Sequence, residues 1–229
     1  AVVGVCEAKR QGDMVIAVTN PENGEKVNFA FPRQQTAEAR RGEHNLCLAD
    51  FVSPKEDTIG LLAVNAGIVD ERYMASLKAD QDIYEQMLLQ TLTDRLAEAA
   101  AEYVHFKIRT ELWGYSDETF ADLEQGKGYR GIRPALGYSC CPDHRLKRLV
   151  WEMLKPNEKI QLQLTENMAM HPASAVCALM LADSRVRYFS ADGIDKEQVQ
   201  AYVDIVGGTI DEAERMFGVH LGYIPEGTK

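Results

Sequence analysis

Between Tyr129 and Tyr138 the chain reads YRGIRPALGY, which sets Arg133 and Tyr138 on backbone shaped by Gly131, Pro134 and Gly137. Glycine lets main-chain groups approach a ligand closely, and binding residues concentrate on such loops. The chemistry open to this run is recognition of a small amphoteric molecule. Arg133 could hold a carboxylate through two parallel hydrogen bonds, Tyr138 could offer an apolar face with a polar tip, and exposed backbone could read an adenine edge. On spacing alone, an ordinary surface loop with an ion-paired arginine is the favoured reading.

Glu98 is a candidate for an ammonium group, because a carboxylate on a long helix is held in place without loop entropy. Arg95, three residues earlier, offers a plain surface ion pair instead. Cys140, Cys141 and His144 combine zinc-ligand types at short spacing, but a second Cys/His pair at the usual distance is missing from the sequence, so no metal site is expected. Cys141 close to a helix start is a candidate for a depressed thiol pKa, with a structural cysteine as the alternative. Tyr188 and Phe189 fall on an expected strand with side chains on opposite faces, one free to line a cleft. Met168, Met170 and His171 read as packing and turn residues before Pro172. The sequence carries no G-x-S-x-G, P-loop or G-x-G-x-x-G, which sets aside the commonest hydrolase, nucleotide-hydrolysing and dinucleotide-binding readings, and no catalytic residue is assigned.

These residues need a frame, and hydrophobic patterning supplies one. Apolar runs at Val2–Val5, Met14–Val18, Val27–Phe31 and Ile59–Val64 predict strands, with a hairpin turn at Asn20-Pro21-Glu22-Asn23-Gly24. A short polar helix is expected over Arg33–Arg41, after which Leu46–Phe51 returns to the sheet. From Gln81 to about Trp113, Leu88, Leu92, Leu96, Ala99, Tyr103 and Phe106 recur at helical spacing on one stripe, while Thr91, Arg95, Glu98 and Glu102 share a second face. A short helix near Asp117–Glu124 precedes an irregular stretch from 126 to 142. Pro142 suits the first turn of a helix carrying Leu146, Leu149, Val150, Met153 and Leu154, stopped by Pro156. Strands follow at Ile160–Leu164, Ala173–Leu181 and Val186–Ala191. Two closing helices start at capping boxes, Asp195 with Gln198 and Thr209 with Glu212, and end at Gly207-Gly208 and Gly218. The fold expected is α+β: a mixed, mainly antiparallel twisted sheet with a long central helix and flanking helices, in a single domain over 1–229.

Composition narrows the class. At 229 residues and 45% hydrophobic the chain can bury a substantial core. A formal net charge of −10 opposes a phosphate-binding surface, so nucleic acid is not an expected partner. The longest apolar run, ASAVCALMLA, is far short of the roughly 20 residues that cross a bilayer, so no membrane partner is expected. Five scattered cysteines and no secretory leader pattern predict reduced thiols and a cytoplasmic protein.

The segment Gly131–His144, GIRPALGYSCCPDH, resembles the R-x-x-x-G-Y signature of the activation domain of cobalamin-dependent methionine synthase, including its C-P-D-H continuation. Cys47–Pro54 (CLADFVSP), Asp94–His105 (DRLAEAAAEYVH), Leu164–Val176 (LTENMAMHPASAV) and Leu221-Gly222-Tyr223 are similar to the same family in the same order, so the resemblance spans essentially the whole chain. It implies that Arg133 binds the carboxylate of S-adenosylmethionine and Glu98 its amino group, and that Ala135 and Tyr138 line the nucleoside and methionine pocket. Tyr188 and Phe189 match the family's paired aromatics beside the ligand. The family's second aromatic is usually tyrosine, so Phe189 lacks that hydroxyl. Leu136 replaces a common proline, and His171 stands at a variable position.

The resemblance also implies a role. An S-adenosylmethionine-binding module would supply the methyl group for reductive reactivation of cob(II)alamin carried by a neighbouring domain, with flavodoxin or a similar protein as electron donor. The module would be part of a methyltransferase in methionine biosynthesis without being catalytic in isolation. The family's domain continues upstream with a helical segment bearing an acidic ligand contact, so the chain is expected to be a C-terminal fragment lacking that segment. The alternative is a docking module for the cobalamin domain and an electron donor, with weak or no S-adenosylmethionine binding. In that case Arg145, Lys147 and Arg148 are the candidates for a basic patch.

Overall fold

The computed structural model describes residues 1–36, 44–67, 71–79 and 82–226. Strands β1 (Val2–Gln11), β2 (Val15–Thr19), β3 (Lys26–Ala30), β4 (Asp57–Asn65) and β7 (Ala175–Met180) form one sheet in the order β3-β2-β1-β4-β7. β1, β2 and β3 are antiparallel neighbours, with Ala8 opposite Val18 and Val15 opposite Ala30. The β2–β3 hairpin turns at the expected site, where Asn20 accepts the Glu22 amide and its carbonyl takes the Gly24 amide. A separate ribbon pairs β5 (Gln163–Leu164) with β6 (Met170–His171). The expected mixed α+β fold with a long helix is the fold observed.

The chain divides into two compact units, one of residues 1–4, 61–129 and 150–178, the other of residues 5–60, 130–149 and 179–229. In the first, α1 (Glu71–Ala79) and α2 (Ile83–Lys107) are the main helices. Asp82 caps α2 by accepting the Glu85 amide at 2.9 Å. The face that α2 buries is Thr93, Ala97, Ala101 and His105, joined at the helix end by Phe106. The leucine stripe read from the sequence lies opposite: Leu88, Leu92 and Leu96 are 51–55% exposed. Small residues win this face because they admit close backbone approach, and Ser174 uses it, its hydroxyl 2.8 Å from that of Thr93 and 2.6 Å from Asp94. Past Lys107 the helix widens into a π turn, Ile108–Leu112. That extra residue swings Arg109 into the interior, where it pairs with Glu118 and lies 4.0 Å from the Tyr129 ring centroid. A short helix, α3 (Phe120–Glu124), follows from a capping box at Thr119 and Asp122.

The second unit packs α6 (Lys196–Val206) and α7 (Ile210–Phe217) on the hairpin through Val15, Ala30, Val199, Tyr202, Ala213 and Phe217. Thr209 and Glu212 form the expected capping box. Asp195 caps α6 through the Gln198 amide, but the Gln198 side chain bonds Arg33 and Gln35 instead of closing a box. Three other expectations are corrected, and a fourth lies mostly outside the described residues. Leu48–Phe51 is a 3-10 turn, not a strand, because Asp50 folds back onto the Cys47 amide. Of the helix expected over Arg33–Arg41, residues 33–36 are irregular and the rest lies outside the described residues. Pro142 precedes a 3-10 turn, His144–Leu146, that leads into α4 (Lys147–Leu154), because the cap is Asp143. Pro156 begins α5 (Pro156–Lys159) after Lys155 breaks the chain at φ 51°.

Arg33 ties the coil after β3 to its surroundings. Its guanidinium donates to both Asp50 oxygens at 2.6 and 2.7 Å, and to the carbonyls of Asn45 and Asp13. Burial alone would raise the Asp50 carboxyl, but Arg33 and the Cys47 amide outweigh it and hold the group below its ordinary value. A depressed folded-state pKa contributes stability that is complete above the unfolded value, about 4, and is lost as pH falls through the folded value. Asp50→Asn is therefore expected to lower the thermal midpoint at neutral pH. Unfolding curves of parent and variant should converge on acidification, with the gap closing below about pH 4.

Candidate functional site

The irregular stretch from Gly131 to Cys141 is held by main-chain pairing. Ile132 and Leu181 exchange two backbone hydrogen bonds at 3.0 Å, and the Leu179 amide donates to the Pro134 carbonyl. The loop therefore continues the edge of β7 for three residues, so Arg133 sits on a paired backbone and not on a free tip. Gly131 at φ 82° and Gly137 at φ 98° turn the chain at either end of Arg133–Leu136.

Two tight turns finish the loop. The Tyr138 amide donates to the Ala135 carbonyl at 3.3 Å, and the Cys141 amide to the Tyr138 carbonyl at 2.8 Å, while Gly137 donates to the Cys141 carbonyl. The Cys141 thiol adds a bond to the Ala135 carbonyl at 3.1 Å. Gly137 has a second reason to be glycine, since a Cβ there would fall 2.1 Å from the His144 ring. His144 is fixed in turn by the Lys147 ammonium, 2.9 Å from its Nδ1. Lysine only donates, so Nδ1 accepts and the imidazole is neutral. Burial first and the Lys147 charge second push its pKa down, which agrees with that state.

Behind the loop stands Asp143. Its carboxylate is 1% exposed, accepts the Tyr202 hydroxyl at 2.9 Å, pairs with the Arg145 guanidinium and caps the following turn through the Arg145 amide. Burial, then the neighbouring Asp143 charge, keeps the Tyr202 hydroxyl protonated far above its usual range. This arrangement also settles the expected basic patch: Arg145 is spent on Asp143 and Lys147 is 6% exposed, leaving Arg148 alone of the three at the surface without such a role.

Of the residues read from the sequence, Arg133, Ala135, Tyr138, Tyr188 and Phe189 lie in the same unit. The Tyr188 hydroxyl accepts the Arg133 amide at 3.0 Å, and the Ala191 amide bonds the Ser139 carbonyl, so the segment carrying Tyr188 and Phe189 runs against the loop. That segment is irregular and not the regular strand expected over Val186–Ala191. Its edges are used by side chains and isolated bonds, so no ladder forms. Tyr188 and Tyr138 are 60% and 68% exposed, whereas Arg133, Ala135 and Phe189 are half-buried. Glu98 is exposed on α2, in the other unit. A cavity of about 650 Å³ is walled by Arg33, Leu46, Asp50, Phe51, Arg185 and Arg187, none of them a predicted contact.

His144 and Asp143 escaped the sequence reading as site supports. The glycine of the G-Y pair was the available signal, because a required positive φ points to a neighbour pressed against the backbone. All five cysteines are free and buried. Burial raises Cys6 to about 11 and Cys47 to about 12, while Cys140 is held below its ordinary value by its side-chain contact with Cys141. Cys141, expected to be the depressed thiol, is the one raised. Among the described residues no group of three or more His, Cys, Asp or Glu side chains is arranged to hold a metal ion.

Residues 1–206 match the family model described as vitamin B12 dependent methionine synthase, activation domain. A solved structure described as the crystal structure of the MetH reactivation domain bound to AdoHcy superposes with a TM-score of 0.88 at 36% identity, covering 97% of this chain and 70% of that chain. Gly137→Ala is expected to destabilise the protein by about 1–3 kcal/mol, through collision with His144 and the cost of positive φ. Denaturant melts of the variant, beside a Gly126→Ala control at a positive-φ site with open space around it, separate the two terms.

Proposed function

This chain belongs to the activation-domain family of vitamin B12-dependent methionine synthase, and on that footing we propose that it binds S-adenosylmethionine and presents its methyl group for reductive reactivation of cob(II)alamin held by a neighbouring domain. The observation that carries the reading is the convergence of residues 55 apart in sequence: the Arg133 amide on the Tyr188 hydroxyl, at a loop whose backbone is fixed by β7. A relative with 36% identity is described as bound to AdoHcy, which is S-adenosylmethionine without the transferred methyl.

In this reading Arg133 takes the ligand carboxylate and Glu98 its ammonium. Ala135 supplies a small side chain beside the nucleoside, and the exposed ring of Tyr138 covers the ligand's apolar face. Tyr188 holds the Arg133 backbone, and Phe189 contributes apolar surface without a hydroxyl. Bound S-adenosylmethionine supplies an activated methyl on a sulfonium leaving group. The protein's work is then orientation and exclusion of competing encounters, which requires no acid or base. Glycine and proline set the loop's conformation before the ligand arrives, so little ordering cost falls on binding.

The partners that follow are the cobalamin-bearing domain of the same enzyme and a reduced electron donor such as flavodoxin, in the cytoplasm. Among the described residues no helix is long and apolar enough to cross a membrane. The isolated module is expected to bind and not to turn over. Titration calorimetry should show S-adenosylmethionine binding that Arg133→Ala weakens by roughly tenfold to a hundredfold, the worth of a hydrogen bond to a charged group. Tight binding indifferent to Arg133 would overturn the residue assignment. Capture of a cobalamin domain without any S-adenosylmethionine binding would favour the docking role instead.

A further inference from the structure

The vicinal pair Cys140–Cys141 has no part in the proposed function, yet it sits where the loop is fastened. Cys141 makes the bonds that shape Ala135–Tyr138: its amide to the Tyr138 carbonyl, its carbonyl from the Gly137 amide, and its thiol to the Ala135 carbonyl. The two residues are buried, at 3% and 0% exposure. The first half of the same turn, Tyr138 and Ser139, is exposed. A local opening of this turn therefore reaches both thiols without disturbing Asp143, whose anchors lie on α6 and on Arg145.

Adjacent Cα atoms stand about 3.8 Å apart across a trans peptide, closer than the 4.4–6.8 Å that ordinary disulfides span. A bond between neighbouring sulfurs thus demands a redirected peptide between residues 140 and 141. That same peptide carries the amide bonded to Tyr138. Oxidation and the present turn are mutually exclusive on these grounds.

We propose that Cys140 and Cys141 form a redox-responsive modification site, in which oxidation to a vicinal disulfide withdraws the Cys141 thiol and amide from Ala135 and Tyr138 and so unfastens the loop that carries Arg133. The effect on ligand affinity rests on the S-adenosylmethionine reading of that loop. The oxidant is a small-molecule disulfide such as oxidised glutathione. One cysteine thiolate attacks it, forming a mixed disulfide and releasing one glutathione thiolate. The second cysteine displaces the other, so two thiol protons and two electrons leave the protein and two molecules of reduced glutathione result. The side-chain contact with Cys141, which holds the Cys140 thiol below its ordinary value, makes Cys140 the natural first nucleophile.

The test treats the full chain with oxidised glutathione and reads three things: peptide mass across Pro134–Arg145, amide hydrogen exchange at Gly137 and Cys141, and calorimetric affinity for S-adenosylmethionine. The expected result is an internal disulfide, faster exchange at both amides and affinity lower by roughly tenfold, all reversed by dithiothreitol. Cys140→Ser, and Cys140→Ala as a second variant, should bind like the reduced parent and ignore the oxidant. Failure to form the 140–141 disulfide, or its formation with unchanged exchange, overturns the proposal. If the reduced protein itself binds no S-adenosylmethionine, the function proposed above falls, while mass and exchange still decide the switch.

Discussion

A carboxylate at 1% exposure is a costly group to bury, and Asp143 is tolerated because three partners meet it at once. Removing one partner of such a buried pair typically costs about 3–5 kcal/mol, since the remaining charge is left uncompensated. The unit's architecture follows from satisfying it. Tyr202 brings α6, and with it the Val199 and Phe217 core; Arg145 brings the start of the helix after the loop; and the cap fixes where that helix begins. His144 is placed by the same turn, directly against Gly137. A motif of one arginine, one glycine and one tyrosine is thus held by residues that lie outside it.

The long helix illustrates a different constraint. The leucines of its apolar stripe face outward, and along most of its length the inward face is built from alanine and threonine, with His105 and Phe106 buried only at the end. Hydrophobicity alone would predict the reverse. Close approach decides the matter, because a small face permits Ser174 to reach Thr93 and Asp94, whereas leucines there would hold the neighbouring segment away. The helix end repeats the lesson, where a single π turn carries a charged guanidinium into the interior against Glu118 and an aromatic ring. Placement of polar groups on this helix is a packing outcome.

Much of the frame could be read from the residues alone. Apolar runs marked β2, β3 and β4 closely, Asn20–Gly24 marked the β2–β3 hairpin, and helical spacing found α2 although not which face it buries. Caps were legible where both partners are local, as at Thr209 and Glu212, and failed where the second partner is distant, as when Gln198 turns to Arg33. Leu46–Phe51 looked like a strand because it is a nearly continuous apolar run, but the Asp50 carboxylate closes on the Cys47 amide and turns the chain there.

For the candidate site, residue types and short-range backbone freedom drew attention to Arg133 and Tyr138, since positive φ and proline act within a few residues of themselves, whereas Ala135 entered only through the family resemblance. Contacts across about 45 or more residues were not encoded in any local pattern: Tyr188 on Arg133, Tyr202 on Asp143 and the β7 edge beneath the loop exist only once the chain has folded. Local sterics choose the conformations a segment can adopt, and the burial of charge and hydrogen-bonding groups chooses among them.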